Sequence, residues 1–376
     1  MFSKALTFFA ALLCVASLLV LIPGPLLLTF VIHVAATELW PILAFANIIV
    51  CVTSLLLPRD RWRGFTLGVS GIALLCSLTP IVAYVAEGPR VPLAALLTWP
   101  STRGVSAAHY VNPRMVIYQR APRSSNRPII IAIYGGAWAR GSPDRDARLN
   151  EELASINYLV IAIDYRHAPG AKWPAQRDDV ESAVTWVRAH ARSLGGDPAR
   201  IALLGHSSGA QLALAAAART PLVRAVITYE SPVDLELGYR YPSEPDIIHA
   251  RLVMRNLCGG PPESTPRCYR DASPRFFVHS GMPPVLMLVA RHDHIVDRRF
   301  EQILRNRLQA DGVRVTFIEL AWAEHAFETI PDGWHNRIAF WFIRKFLERE
   351  FRRVPTLPGA HRRSFSRLRP GYAKLP

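Results

Sequence analysis

Hydrophobic and polar positions are spread unevenly along the 376 residues, and the pattern changes near residue 87. Before that point, long apolar runs at 5–22, 41–57 and 65–86 are separated by short polar stretches. Each run approaches the ~20 apolar residues that cross a bilayer core as a helix. Beyond it, apolar runs of strand length alternate with amphipathic stretches of helical period. Strands are expected at 114–119, 128–134, 158–163, 201–204, 225–229, 285–290 and 313–320, with helices near 144–156 and 178–193. Several of these strands are apolar throughout, as in a mainly parallel sheet covered by helices on both faces. The expected architecture is an α/β fold preceded by an α-helical membrane region. Its parts are a membrane region with about three transmembrane helices at 1–87, a Pro- and Gly-punctuated linker at 88–112, an α/β domain at 113–351 and a tail at 352–376. The linker includes a short candidate interfacial segment at 93–99. Internal repeats are not evident.

Charge orients these parts. The loop 58–64 carries Arg59, Arg61 and Arg63, whereas 36–40 has no Lys or Arg and contains Glu38. The positive-inside bias puts the loop and Lys4 on the cytoplasmic side and the α/β domain on the non-cytoplasmic face. His33 and Glu38 are read as marking the end of the first span. The formal charge of +15 suggests an anionic partner, but much of it sits in the tail, where seven Lys/Arg and no acid follow from Arg352 onward. Four prolines and little apolar periodicity read as a disordered tail, either held near anionic headgroups or simply solvated; membrane lipids are an expected partner and nucleic acid is not. The sequence leaves the oligomeric state open.

Five cysteines are too few for a disulfide scaffold. Cys14, Cys51 and Cys76 lie in apolar runs, where a thiol is a small hydrophobe. Cys258 and Cys268 bracket the turn-rich GGPPESTPR, so the chain can reverse and close a disulfide in an oxidising compartment, or leave two thiols in a surface loop.

Candidate chemistry centres on residues 200–212, RIALLGHSSGAQL, which read as strand, sharp turn and helix. A serine at such a turn is lifted off the sheet, and glycines flank it where side chains would collide with strand and helix. Ser207 is the candidate nucleophile. It needs a base, the base needs an orienting carboxylate, and a tetrahedral oxyanion needs backbone donors. Asp293 follows the strand at 285–290, and His325 follows the next one. Nucleophile, acid and base thus occur in the order a parallel sheet of this kind supplies them. Asp297 and Glu324 are weaker candidates for the acid. His292 and His294 flank Asp293 without the remaining ligands of a zinc pattern, so no metal or other cofactor is expected. His206 is read as packing or lining the pocket. The expected oxyanion donors are the amides of Ser208 and of Gly135 and Gly136, in the loop leaving the strand at 128–134.

The set YGGAWARG, DYRHAP, KWPAQRDDV, GGDPARI, GHSSGA, the acid loop and EHAF resembles the α/β-hydrolase esterases of the hormone-sensitive-lipase and carboxylesterase-like group, over roughly residues 110–350. The resemblance implies an α/β-hydrolase fold and a serine esterase with Ser207 as nucleophile, Asp293 as acid, His325 as base and Gly135, Gly136 and Ser208 as oxyanion donors. It departs where the group's usual His before the glycine pair is Tyr134 and its third glycine is Ala137. Ala210 follows Gly209. The GGAW and S-x-G-A spellings are similar to those of isoprenylcysteine methylesterases. The segment 234–257 is the expected cap over the acyl pocket, with Tyr239, Tyr241, Ile247, Ile248 and Met254 lining it or packing beneath it. The expected activity is hydrolysis of a small-molecule or lipid carboxylic ester by a membrane-anchored enzyme. Alternatives are amide or formamide hydrolysis or acyl transfer by the same residues, or a catalytically inactive membrane-anchored binding module.

Overall fold

The computed structural model describes residues 2–23, 26–111, 114–121 and 125–352, so all but the first residue of the basic tail lies outside the described residues. Eight strands form one sheet: β1 (Val105–Val111), β2 (Arg114–Arg120), β3 (Arg127–Ile133), β4 (Leu159–Ile163), β5 (Gly196–His206), β6 (Ala225–Tyr229), β7 (Val285–Ala290) and β8 (Val315–Leu320). Their spatial order is β1-β2-β4-β3-β5-β6-β7-β8. β2 runs antiparallel to both its neighbours, and from β4 to β8 every pairing is parallel.

Strand alternation divides the core. Ile129, Ile131 and Ile133 of β3 pack with Val180, Val184 and Val187 of helix Ala175–His190 and with helix Ser208–Ala217. Ile130 and Ala132 face the other way, toward helices Ala147–Ser155 and Trp334–Arg352. Valines at i, i+4 and i+7 make one apolar stripe on the first helix, which is why it lies flat on the sheet. The parallel strands end at a common edge. The chain leaving β3, β5, β6, β7 and β8 there carries Gly135, Ser207, Glu230, Asp293 and His325 respectively.

The stretch 88–112 is more structured than a linker: it contains helix Leu93–Leu97 and β1. β1 escapes a pattern search because it is an edge strand with no fully buried residue, so no alternation marks it. β5 starts at Gly196, earlier than its apolar run, because Gly196 to Arg200 form a polar entry to the strand.

The N-terminal part consists of helices Phe2–Leu18, Leu27–Glu38, Trp40–Leu56, Arg61–Ser77 and Thr79–Glu87. Of the three expected spans, only the last coincides with a single helical run long and apolar enough to cross a bilayer, Arg61–Glu87, 27 residues with mean hydropathy 2.0. The second belongs to a pair, Leu27–Glu38 and Trp40–Leu56, bent by 74°. The first is a 17-residue helix ending at Leu18. Thr7 and Thr66 hydroxyls share a hydrogen bond of 2.7 Å, and Asn47 Nδ2 donates to Ser17 Oγ at 3.1 Å, pinning these helices together. Their outer faces leave Phe8, Phe45, Leu56, Leu75 and Val85 exposed.

His33 and Glu38 do more than end a helix, for both are buried against the α/β domain. Glu38 accepts from the His335 backbone N–H at 2.9 Å and pairs with His335 Nδ1 at 2.5 Å, while His335 Nε2 bonds the Ala321 carbonyl at 2.8 Å. Trp334 packs edge-on to Trp40 and Tyr84, with ring centroids 5.2 and 5.5 Å apart. Trp322 Nε1 donates to the Val20 carbonyl at 3.0 Å, and Arg291 pairs with Glu87. Removing one partner of a buried hydrogen-bonded pair leaves the other unsatisfied, at about 1–3 kcal/mol. Glu38→Ala is therefore expected to lower the thermal midpoint of the purified protein and to expose residues 27–38 to proteolysis; an unchanged midpoint would show that the pair does not hold the two parts together.

Candidate active site

β5 ends at His206, and the next residue, Ser207, has φ 50° and ψ −119° before helix Ser208–Ala217 begins. The turn is possible because its neighbours have no side chain. A Cβ on Gly209 would overlap the carbonyl oxygens of Ile133 and Tyr134, and one on Gly205 would overlap the Gly209 carbonyl. Backbone strain at one exposed-edge residue is thereby held by two close backbone contacts.

Three loops converge on Ser207. His325 Nε2 lies 3.0 Å from Ser207 Oγ, and His325 Nδ1 lies 2.8 Å from Asp293 Oδ2. The other oxygen of Asp293 accepts from the backbone N–H groups of Ile295 and Val296 at 2.7 and 2.6 Å. Burial pushes the Asp293 carboxyl up, with His325 opposing the shift. For His325 burial is the largest influence and works against protonation, but Asp293, together with the Glu328 and Glu324 carboxylates, raises the imidazole. A hydroxyl, an imidazole and a carboxylate in this series can pass a proton from the serine to a leaving group.

The two weaker acid candidates lie elsewhere. Asp297 caps helix Arg298–Ala310, accepting from Arg299 N–H at 2.8 Å and pairing with the Arg299 side chain. Glu324 accepts from the backbone N–H groups of His294 and His325 at 2.8 and 2.7 Å, and bonds the His294 ring. His33, from helix Leu27–Glu38, brings its Nε2 to 3.5 Å from the same carboxylate. Burial opposes ionisation of Glu324, yet its hydrogen bonds to His294 and His33 hold its pKa at about 2.

His292 and His294 point to different partners, the Trp322 ring and Glu324, so they do not converge on a metal. Among the described residues, the ligand atoms that do converge are those of Glu230, Asp293 and His325, within 4.8 Å of one another. Two of these three groups already bond each other. His206 is buried, stacked on Tyr229 with centroids 4.6 Å apart and 3.8 and 3.5 Å from Asp146 and Glu328. Burial disfavours its charged form, but the two carboxylates together raise its pKa.

Glu230 belongs to no motif that sets it apart in the sequence. It follows β6 with φ 50°, accepts from the Ala326 N–H at 2.7 Å and lies 3.5 Å from His325 Nδ1. Its signal was positional, an acidic residue directly after an apolar parallel strand. Burial, then the nearby Glu328 and Asp293 carboxylates, push its pKa well up, toward the neutral form.

Gly135, Gly136 and Ala137 line a cavity with Ser207 and His325, and Ala137 also lines a second cavity with Ser207 and Ser208. Gly136, Ala137 and Trp138 all have positive φ, at 147°, 55° and 57°. This loop is braced from below by residues of the YGGAWARG and DYRHAP segments. Tyr134 bonds Asp164 and, at 2.8 Å, His167 Nε2, and stacks on Tyr165 at 4.5 Å. Trp138 Nε1 donates to Gln211 at 3.0 Å. Of the cap residues, Tyr241, Ile248 and Met254 line the second cavity, whereas Tyr239 packs edge-on to Tyr269. Cys258, at the end of helix Ala250–Cys258, is disulfide-bonded to Cys268.

Known proteins share this arrangement of strands. A Pyrobaculum calidifontis esterase matches with a TM-score of 0.58 at 23% identity, covering 68% of this chain and 88% of that one. A truncated carbohydrate esterase from gut microbiota matches at 0.57 and 21%, covering 68% and 100%. The shared fold is the α/β-hydrolase fold. Among curated sequences, "Probable carboxylic ester hydrolase LipM" of Mycobacterium tuberculosis is 32% identical over 54% of this chain and 50% of its own length, so this chain matches about half of that relative. "Esterase LipC" of the same organism is 29% identical over 73% of each. "Probable isoprenylcysteine alpha-carbonyl methylesterase ICMEL1" of Oryza sativa subsp. japonica is 35% identical over 27% of this chain and 24% of its own. The family model described as BD-FAE matches residues 115–308, more than half of the sequence, and the chain belongs to that family.

Proposed function

We propose that the protein is a membrane-anchored serine esterase that hydrolyses short-chain carboxylic esters through an acyl-enzyme. The observation that carries this reading is the unbroken series from Ser207 Oγ through His325 to Asp293, at 3.0 and 2.8 Å. Ser207 attacks the ester carbonyl as His325 takes its proton. Asp293 fixes the imidazole tautomer and stabilises the imidazolium. The amides of Gly135, Gly136 and Ser208, with Ala137 beside them, are the candidate donors to the oxyanion. Water then repeats the sequence on the acyl-enzyme. The names of the curated relatives, ester hydrolases and esterases, support the reaction class. The same three groups could act on an amide or pass the acyl group to another acceptor, so the first assay pairs each ester with its amide.

Membrane anchoring is supported by helix run Arg61–Glu87 and by the exposed apolar faces of the N-terminal helices. The basic loop 58–64 favours the cytoplasmic side for itself and the opposite face for the α/β domain. The Cys258–Cys268 disulfide supports that placement, because such bonds persist in oxidising compartments.

A serine-directed phosphonate should label the wild type and not Ser207→Ala, whose turnover should fall by about 10⁶; labelling that persists in the variant would move the nucleophile elsewhere. Asp293→Asn should fold normally and lose up to about 10⁴ in rate, and near-wild-type turnover would unseat Asp293 as the orienting acid. The raised His325 pKa sets the pH profile. His325 must be neutral to accept the proton, so kcat/KM should fall as pH drops through an inflection above the ordinary imidazole value of about 6.5. Asp293→Asn removes the largest of the charges that raise it, so any residual activity should show that inflection at lower pH. An inflection at or below the ordinary value in the wild type would contradict the assignment.

A further inference from the structure

Ser207 stands between two cavities, as an ester carbon must, with one for each half of the substrate. Chemistry assigns the halves. When the tetrahedral intermediate collapses, the bond from carbon to the alcohol oxygen breaks, and the departing oxygen takes the proton that His325 took from Ser207. The alcohol must therefore leave on the His325 side. His325 lines one cavity and is absent from the lining of the other. The second, under Trp138, Val233 and Met254, is left for the acyl group.

The wall of the His325 cavity comes from an unexpected element. Leu27, Phe30, Val31 and Val34 of helix Leu27–Glu38 line it, facing Ile248 and Ile295. Their spacing of i, i+3, i+4 and i+7 is one apolar helical stripe. The wall is fixed in place, since the same helix is tied down by His33 at Glu324 and by Glu38 at His335. Phe30 and Val34 of the stripe are buried, Leu27 and Val31 are half exposed at the cavity's mouth, and the outer side leaves Leu28 and Ile32 exposed.

We propose that this helix is the alcohol subsite, and that the substrate is an ester joining a short acyl group to a long-chain lipid alcohol, whose hydrocarbon lies along the stripe. The inference rests on the serine-esterase reading and narrows its substrate class. The polar lining residues of this cavity, Arg140, Arg145, Glu328 and Thr329, all come from the α/β domain, whereas the stripe itself offers no hydrogen-bonding partner, so hydrocarbon is what lies against the stripe by burial. The outward face of the same helix is apolar too, which places the subsite beside the surface from which a bilayer lipid would arrive.

The test uses the full chain in detergent micelles with three substrates: ethyl acetate, decyl acetate and ethyl decanoate. The wild type should prefer decyl acetate to ethyl decanoate. Phe30→Ala should lower the decyl-to-ethyl acetate ratio of kcat/KM by about tenfold or more, while the ethyl acetate-to-ethyl decanoate ratio stays as in the wild type. Phe30→Leu, which keeps the helix packed, should lower the first ratio less. Met254→Ala should do the converse and change only the acyl-length ratio. If Phe30 variants move the acyl-length ratio, or neither ratio, the subsite assignment is overturned although Ser207-dependent hydrolysis stands. If no ester is hydrolysed, or hydrolysis survives Ser207→Ala, the esterase reading itself falls, and the subsite with it.

Discussion

One buried carboxylate, Glu324, connects everything that has to be aligned at the catalytic edge. It takes two backbone amides, one from the loop carrying Asp293 and one from the residue that supplies the imidazole, and it faces two further imidazoles. A charge in that position would be costly without such partners. With them it becomes a fixed joint: the acid loop, the base loop and helix Leu27–Glu38 each give it at least one donor group. The geometry at Ser207 depends on this joint, because neither Asp293 nor His325 lies within a regular element that would otherwise hold it.

Beneath the site the protein buries further ionisable groups. His206 sits between Asp146 and Glu328, and Glu230 and Glu301 lie close by in surroundings that push their carboxyls well up. Glu301 is employed, accepting the Ser231 N–H at 3.0 Å just after Glu230. Burial disfavours the charged form of Glu230, which is bonded to the Ala326 amide, and Asp293, at 2.8 Å against 3.5 Å for Glu230, is the nearer carboxylate to the His325 ring.

Much of this was legible from residue order. A parallel sheet puts the ends of its strands on one edge, so Ser207, Asp293 and His325 could be placed together from their positions after apolar runs alone. The glycines at 205 and 209 were legible because the turn they flank leaves no room for a side chain. What escaped has a common physical character. β1 has no buried face to write a period into its sequence. Glu230 looked like any acidic residue after a strand. The role of helix Leu27–Glu38 was hidden because an apolar stripe facing a cavity and one facing lipid are spelled alike. Only His33 and Glu38 distinguished them, and their partners lie 291 and 297 positions along the chain.

The Glu38–His335 contact also has a meaning in time. Glu38 leaves the ribosome early, whereas the imidazole that completes its pairing is made 297 residues later, about 15–60 s at 5–20 residues per second. During that interval the turn at Ser207 can form, but the wall beside it has no anchor on the sheet. Both ends of the chain must be present before the cavity has its final shape. A nascent or truncated protein thus carries the Ser207 turn beside an unfinished chamber.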